Sequence, residues 1–150
     1  MTSWLLKLGA DIVGYSIDIP STPSMFEEID LESRIKHIVG DVRDLGHLSD
    51  VVNSERPDFV FHLAANADVR FGLNHPSKDL NQNTIATFNV LQAMKERGIK
   101  KIIFSSTGSV YGESKKIPTP ENDEFPIQTS LYGASKVACE ALIQAYSEGY

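Results

Sequence analysis

At 150 residues, 41% apolar and 23% charged, the chain has the size and composition of one globular domain able to bury a sizeable core. Its 20 acidic and 14 basic residues leave a net charge of −6 without a basic stripe, which argues against a nucleic-acid partner, and no apolar run approaches the roughly 20 residues that span a bilayer. The single cysteine, Cys139, rules out an internal disulfide and agrees with a cytoplasmic location, and residues 1–8 lack the charged-then-apolar pattern of a signal peptide.

Short apolar runs alternate with helical patterns. Residues 12–17 read as a strand, and residues 35–39 as a second, closed by Gly40-Asp41. Residues 44–53 carry Leu45, Leu48, Val51 and Val52 at helical spacing, with Asp44 as the expected N-cap and Pro57 as the stop. Residues 59–63 form a third strand, apolar on both faces. Pro76 opens a long helix at a position proline tolerates. Its expected inward stripe is Leu80, Asn83, Thr84, Thr87, Val90, Leu91 and Met94, and Gly98 is its expected C-terminal cap. Residues 102–104 make a fourth strand. Residues 113–128, with Pro118, Pro120 and Pro126, read as loop. Ser130 then caps a last helix with Leu131, Ala134, Ala138, Leu142 and Ala145 inward. Strands apolar on both faces, alternating with helices, predict a doubly wound α/β domain around a parallel sheet.

Two segments carry groups able to act on an alcohol. The fourth strand runs into Ser105-Ser-Thr-Gly-Ser-Val-Tyr111, and Tyr132-Gly-Ala-Ser-Lys136 opens the last helix. Tyr132 and Lys136, at i and i+4, share one helix face. An ammonium beside a phenol favours the phenolate, so the pair has the makings of a general base during hydride transfer. Thr107 lies past the C-terminal end of its strand, where open α/β sheets place ligands, and its hydroxyl could hold the substrate oxygen. On spacing alone, a surface Tyr/Lys pair on an amphipathic helix is an equally open reading. His62 reads as structural and Cys139 as a small packing residue. His37, His47 and His75 have no metal-ligand spacing, so no metal is expected.

Phe104-Ser-Ser-Thr-Gly-Ser-Val-Tyr-Gly-Glu113 and Ser130-Leu-Tyr-Gly-Ala-Ser-Lys136 closely resemble the extended short-chain dehydrogenase/reductase family, the NAD-dependent sugar-nucleotide epimerases and dehydratases. So do Gly40-Asp-Val-Arg-Asp44, Phe61-His-Leu-Ala-Ala65 and Asn83-Thr-Ile-Ala-Thr87. The motifs keep the family's order and spacing, so the resemblance covers nearly the whole chain. It implies a Rossmann-like fold, a nucleotide-sugar substrate and NAD as cofactor. It implies a catalytic set of Thr107, Tyr132 and Lys136, the last two also touching the cofactor. Asp41 and Val42 match the pair at the adenine. Leu63, Ala64 and Ala65 match the strand end that passes the phosphates and ribose, and Asn83 an asparagine near the cofactor. Ser16 occupies the place of the ribose-binding acid, with Asp18 two residues on. No arginine stands near them in sequence to accept a 2′-phosphate, which favours NAD over NADP.

Within the family two branches compete. Gly14-Tyr-Ser-Ile-Asp-Ile-Pro-Ser-Thr-Pro-Ser-Met-Phe-Glu27 looks like the CDP-glucose 4,6-dehydratases, whereas Ser105-Ser-Thr-Gly-Ser-Val-Tyr-Gly112 and Pro126-Ile-Gln-Thr-Ser-Leu-Tyr132 look like the UDP-glucose 4-epimerases. A dehydratase must also remove a C5 proton and expel the C6 hydroxyl. Many place Asp-Glu after the catalytic threonine, where this chain has Gly108-Ser109, so the resemblance favours a 4-epimerase. The family opens with a strand, a Gly-rich turn and a helix, and Trp4-Leu-Leu-Lys-Leu-Gly9 looks like only the tail of that helix. The expectation is a partial NAD(P)-binding Rossmann-like domain over residues 1–150, lacking the first strand, the Gly-rich loop and the C-terminal substrate lid. Such a fragment is expected to be inactive alone and weak in NAD binding, and its longer parent a homodimer. A non-catalytic remnant paired with a partner, or a cofactor-independent interaction module, are the competing readings. In a sheet of order 3-2-1-4-5 the first strand is central. Without it, residues 12–17 and 59–63 should either flank an open slot or be forced to pair.

Overall fold

The computed structural model describes residues 1–19, 21–123 and 127–150. All four expected strands form, shorter by one residue at five of their eight ends. They are β1 (Val13–Ser16), β2 (Lys36–Val39), β3 (Val60–His62) and β4 (Ile102–Phe104). β1 and β2 pair in parallel, Val13 opposite Lys36 and Ser16 opposite Val39. β3 and β4 do likewise, Val60 opposite Ile102 and His62 opposite Phe104. The two pairs remain separate two-stranded sheets. Between them lies a cavity of about 920 Å³ walled by residues 12–15 on one side and 59–64 on the other, with Val90 and Met94 among its lining residues. Of the two outcomes expected at this place, the open slot is the one found.

Helices supply the connections: α1 (Thr2–Lys7), α2 (Met25–Glu28), α3 (Leu45–Glu55), α4 (Val69–Asn74), α5 (Pro76–Leu80), α6 (Ala86–Glu96) and α7 (Leu131–Gly149). Among the described residues, no helix is long and apolar enough to cross a membrane. The Asp44 carboxylate caps α3 by accepting from the His47 N–H at 3.1 Å. Leu48 and Val52 on its inner face meet Val90, Ala93 and Met94 of α6, and this cluster packs against Val60 and Ile102 of the sheet. The long helix does open at Pro76 and ends in a Schellman motif. Gly98, at φ +67°, takes the left-handed position. The N–H groups of Gly98 and Ile99 close on the carbonyls of Lys95 and Met94.

Two expectations about inward faces need correction. Between α5 and α6 the helix passes through a π turn, Asn81–Ile85. The extra residue rotates the preceding turn relative to the rest. Asp79 therefore takes the buried place, and Leu80 is exposed. On α7 the buried residues are Tyr132, Gly133, Ser135, Lys136 and Cys139, whereas Leu131, Ala134 and Ala145 face outward. The helix turns its polar face inward because its partners there are polar: Asn83 Nδ2 donates to Ser135 Oγ at 3.2 Å, and Thr84 Oγ1 to the Ser135 carbonyl at 3.2 Å. Three short elements went unread in the sequence. α2 carries a Ser24/Glu27 capping box, α4 an Asp68 cap, and Gly108–Tyr111 forms a 3₁₀ turn. In the segment read as loop, residues 113–123 and 127–128 form no helix or strand. Pro126, with which the epimerase-like stretch begins, and Pro20 within the dehydratase-like stretch lie outside the described residues.

Candidate functional site

The carboxyl ends of β1, β2 and β3 open onto a shared cleft of about 610 Å³. Asp18, Asp41, Val42, Leu63, Ala64 and Ala65, separated by up to 47 positions in sequence, all line it. Their common direction shows that the two sheets run the same way on either side of the slot. The Asp41 carboxylate accepts from the Arg43 backbone N–H at 2.8 Å and from its Nε at 2.9 Å, and Arg43 Nη2 closes the fork. These bonds from the Arg43 side chain hold the Asp41 carboxyl below the usual carboxylate range. The fold also brings Arg43, which the sequence reading did not consider, into the cleft, where Asp41 engages it. Ser16 Oγ donates to the Asp18 carbonyl at 3.1 Å and sits 2.8 Å from His37 Nε2.

The loop bearing Asp41 is fixed from both sides. Tyr15 crosses Gly40, where a Cβ would fall 2.3 Å from the phenol oxygen, and its hydroxyl donates to the Asp41 carbonyl at 3.2 Å. From α6, Asn89 Nδ2 donates to the carbonyls of Val42 and Arg43 at 3.1 and 2.9 Å.

A second group of side chains assembles where β4 ends against α7. Ser130 caps α7 by accepting from the Gly133 N–H at 2.9 Å. A Cβ on Gly133 would lie 2.9 Å from the Ser109 carbonyl, so only glycine lets the helix start this close to the 3₁₀ turn. That approach sets Tyr132, 8% exposed, beside the turn that Thr107 caps. Thr107 Oγ1 accepts from the Ser109 N–H at 3.2 Å and lies 3.4 Å from Ser109 Oγ. Lys136, 2% exposed, donates to the Ser105 carbonyl at 2.8 Å. Its ammonium sits 4.4 Å from the Phe104 ring centroid and 6.0 Å from that of Tyr132. Burial pushes the Lys136 pKa down, and Cys139 and Glu140 oppose this.

Asn83 joins the two groups. It is buried behind the cleft rather than lining it. Its Oδ1 accepts from the Asn66 N–H at 2.8 Å, while Nδ2 reaches the Asn66 carbonyl, Asp79 Oδ1 and Ser135 Oγ at 3.1–3.2 Å. One amide thus ties the cleft loop after β3 to the Tyr/Lys helix. Arg43, Asn66, Asn89, Tyr15 and Glu140 are the members that sequence reasoning missed. Asn89 alone left a visible signal, an amide inside the apolar face of α6.

His62 stands behind Lys136 as a buried, neutral imidazole. Thr87 Oγ1 donates to the Asn83 carbonyl at 2.7 Å, so the His62 Nε2–H, 3.0 Å away, donates to Thr87. Burial first, then the Lys136 charge, lowers the His62 pKa to about 4. The unfolded chain, with a pKa near 6.5, takes up this proton before the folded one does. Above about pH 6.5 the contribution to stability is complete, and it is lost as pH falls from there through about 4. The full loss is on the order of 3 kcal/mol. Urea melts of the full-length protein between pH 7 and 4 should show this slope, and a flatter one in its His62→Gln variant. An unchanged slope in the variant would contradict the assignment.

Residues 3–150 match the NAD dependent epimerase/dehydratase family. The UDP-glucose 4-epimerase of Lacticaseibacillus casei is 39% identical over 113 residues, which are 75% of this chain and 34% of that protein. The CDP-glucose 4,6-dehydratase of Salmonella typhimurium is 27% identical across the whole chain and 42% of its own length. The crystal structure of a UDP-glucose 4-epimerase with UDP-glucose from Thermotoga maritima superposes with a TM-score of 0.86 at 30% identity, over 99% of this chain and 47% of that one. The Bifidobacterium longum UDP-glucose 4-epimerase in complex with NAD+ and UDP gives 0.86 at 30% identity, over 95% and 43%. The chain therefore spans between a third and a half of the length of these relatives.

Proposed function

The chain belongs to the NAD dependent epimerase/dehydratase family, and on that premise we propose that it is the cofactor-binding part of a nucleotide-sugar 4-epimerase acting on UDP-glucose and UDP-galactose. The observation that carries the choice is the turn after Thr107. Gly108 and Ser109 occupy it, and Ser109 is bonded to Thr107 itself, so no carboxylate stands there for the extra proton transfers of a dehydratase. An epimerase needs one proton removed from O4 and returned to it.

The cleft residues fit NAD. In this reading Asp41 and Val42, a carboxylate and a short apolar side chain lining the cleft, would meet the adenine. The turn after β3 would pass its main chain at Leu63, Ala64 and Ala65 along the phosphates, and Asp18, also lining the cleft, would take the ribose. When bound, NAD would supply hydride acceptance and return at sugar C4. Thr107 hydrogen-bonds O4 and holds the C4–O4 bond in line. Tyr132 takes the O4 proton as general base and gives it back as general acid. Lys136 keeps a positive charge beside the phenol and is itself fixed by the Ser105 carbonyl. Asn83 acts through Asn66 and Ser135, holding the cleft loop and the catalytic helix at one separation. We read the whole protein as a cytoplasmic homodimer that meets through the long helix and α7, on which Ile85, Phe88 and Leu131 expose apolar surface. The 150 residues alone are expected to show no turnover.

A CDP-glucose 4,6-dehydratase is the second reading, supported by the dehydratase-like stretch of residues 14–27 and by the Salmonella relative, which matches the whole chain. One assay separates them. The full-length protein with NAD should convert UDP-galactose to UDP-glucose and leave CDP-glucose unchanged. Formation of a 4-keto-6-deoxy sugar from CDP-glucose would reverse the choice.

A further inference from the structure

We propose that Glu140 is a positioning residue which, together with Lys136, clips the loop after β4 onto α7 and so sets where Thr107 stands beside Tyr132. The proposal rests on the epimerase reading for the roles of Thr107 and Tyr132, but its geometry does not. Lys136 and Glu140 are one helical turn apart on the same face of α7. They engage consecutive residues of the loop. Lys136 Nζ donates to the Ser105 carbonyl at 2.8 Å, and Ser106 Oγ donates to the Glu140 carboxylate.

Thr107 comes next in the chain. Its own hydroxyl bonds stay inside its turn, to Ser109, so they cannot fix it relative to the helix. The residues just before it do that, and the close contact of Gly133 with the Ser109 carbonyl secures the far side of the turn. The charged acceptor matters because a hydroxyl–carboxylate bond is about twice as strong as a neutral one. Glu140 has a second effect. Its carboxylate favours the charged form of Lys136 against burial, while the Cys139 thiol, pushed up by burial, and His62, facing from β3, stay neutral.

The test uses the full-length protein and a double-mutant cycle. Glu140→Ala and Ser106→Ala should each lower kcat for UDP-galactose about tenfold with KM within about twofold, as expected for one charge-assisted hydrogen bond that orients a catalytic group. The double variant should be no slower than either single one, because both remove the same contact. Glu140→Gln, which keeps an acceptor oxygen, should recover most of the loss, and it carries the test if the alanine variant folds poorly. Hydrogen exchange supplies an arm free of turnover: without substrate, the amides of residues 105–107 should exchange about tenfold faster in Glu140→Ala. Additive losses in the cycle, or unchanged exchange at these amides, would overturn the clip. If the unmodified protein does not epimerise UDP-galactose, the epimerase reading fails and the exchange result alone decides the role of Glu140.

Discussion

Tyr132→Phe is expected to lower 4-epimerase turnover by about 10²-fold or more, the scale on which a positioned general base acts. The substitution is informative because of where the ring sits. Tyr132 is buried in the first turn of α7, a turn capped by Ser130 and seated against the 3₁₀ turn through Gly133. Phenylalanine keeps the ring and its packing and removes only the hydroxyl. Lys136 is anchored independently, by the Ser105 carbonyl and over the Phe104 ring, so the ammonium stays in place. A fall in kcat with little change in KM for the sugar nucleotide is the expected pattern, since the proton moves only on the way to the transition state. Circular dichroism and the melting curve should match the parent protein. Turnover close to the unmodified enzyme would remove Tyr132 from the catalytic role and with it the main support for the reading.

Much of this site was legible in the chain because its parts are local. A Tyr-x-x-x-Lys pair on one helix face, a hydroxyl beyond a strand end and a capped helix start are statements about neighbours in sequence. The cleft set was legible for another reason: strand ends in a parallel α/β sheet converge, so Asp18, Asp41 and residues 63–65 were bound to meet once the strands were recognised. What escaped were contacts made across the fold. Arg43 enters the cleft through β2's exit loop, although in sequence it is far from Ser16. Glu140 reads as an ordinary helix residue until its partner, the Ser106 hydroxyl, is known, and the amide that Asn89 places in the apolar face of α6 does not reveal the Val42 carbonyl it meets. The inward face of α7 was misjudged because apolar periodicity finds a face that packs on oil, and this helix buries hydroxyls, a thiol and an ammonium. The π turn has no periodic signature at all, and it displaced Leu80 from the stripe expected of it.

The 150-residue chain by itself is expected to lack a cooperative thermal transition in the range of about 45–65 °C usual for mesophilic domains. The reason lies in the slot between β1 and β3. Each of those strands is paired on one edge only, so its other edge presents backbone N–H and C=O groups to a cavity of about 920 Å³. The same cavity leaves Val13 and Phe59 more than a third exposed, and the core cluster of α3 and α6 borders it through Leu48, Val52, Val90 and Met94. The accessible surface is correspondingly large: 9805 Å² for a 16.6 kDa chain, against about 7,600 Å² expected of a folded monomer of that mass. At about 25 cal/mol per Å², every ~100 Å² of apolar surface left unburied forgoes roughly 2.5 kcal/mol, a large fraction of a domain's net stability of about 5–15 kcal/mol. Among the described residues no strand pairing joins the two sheets, which meet through the small cluster of α3 and α6 that Tyr15 of β1, Val60 of β3 and Ile102 of β4 border. Calorimetry of the purified chain should therefore show a broad, low-enthalpy transition, with exposed apolar surface detectable by dye binding at room temperature. A sharp transition with the roughly 0.7 kcal/mol per residue of an ordinary domain would mean that the slot closes in solution and that β1 and β3 pair after all.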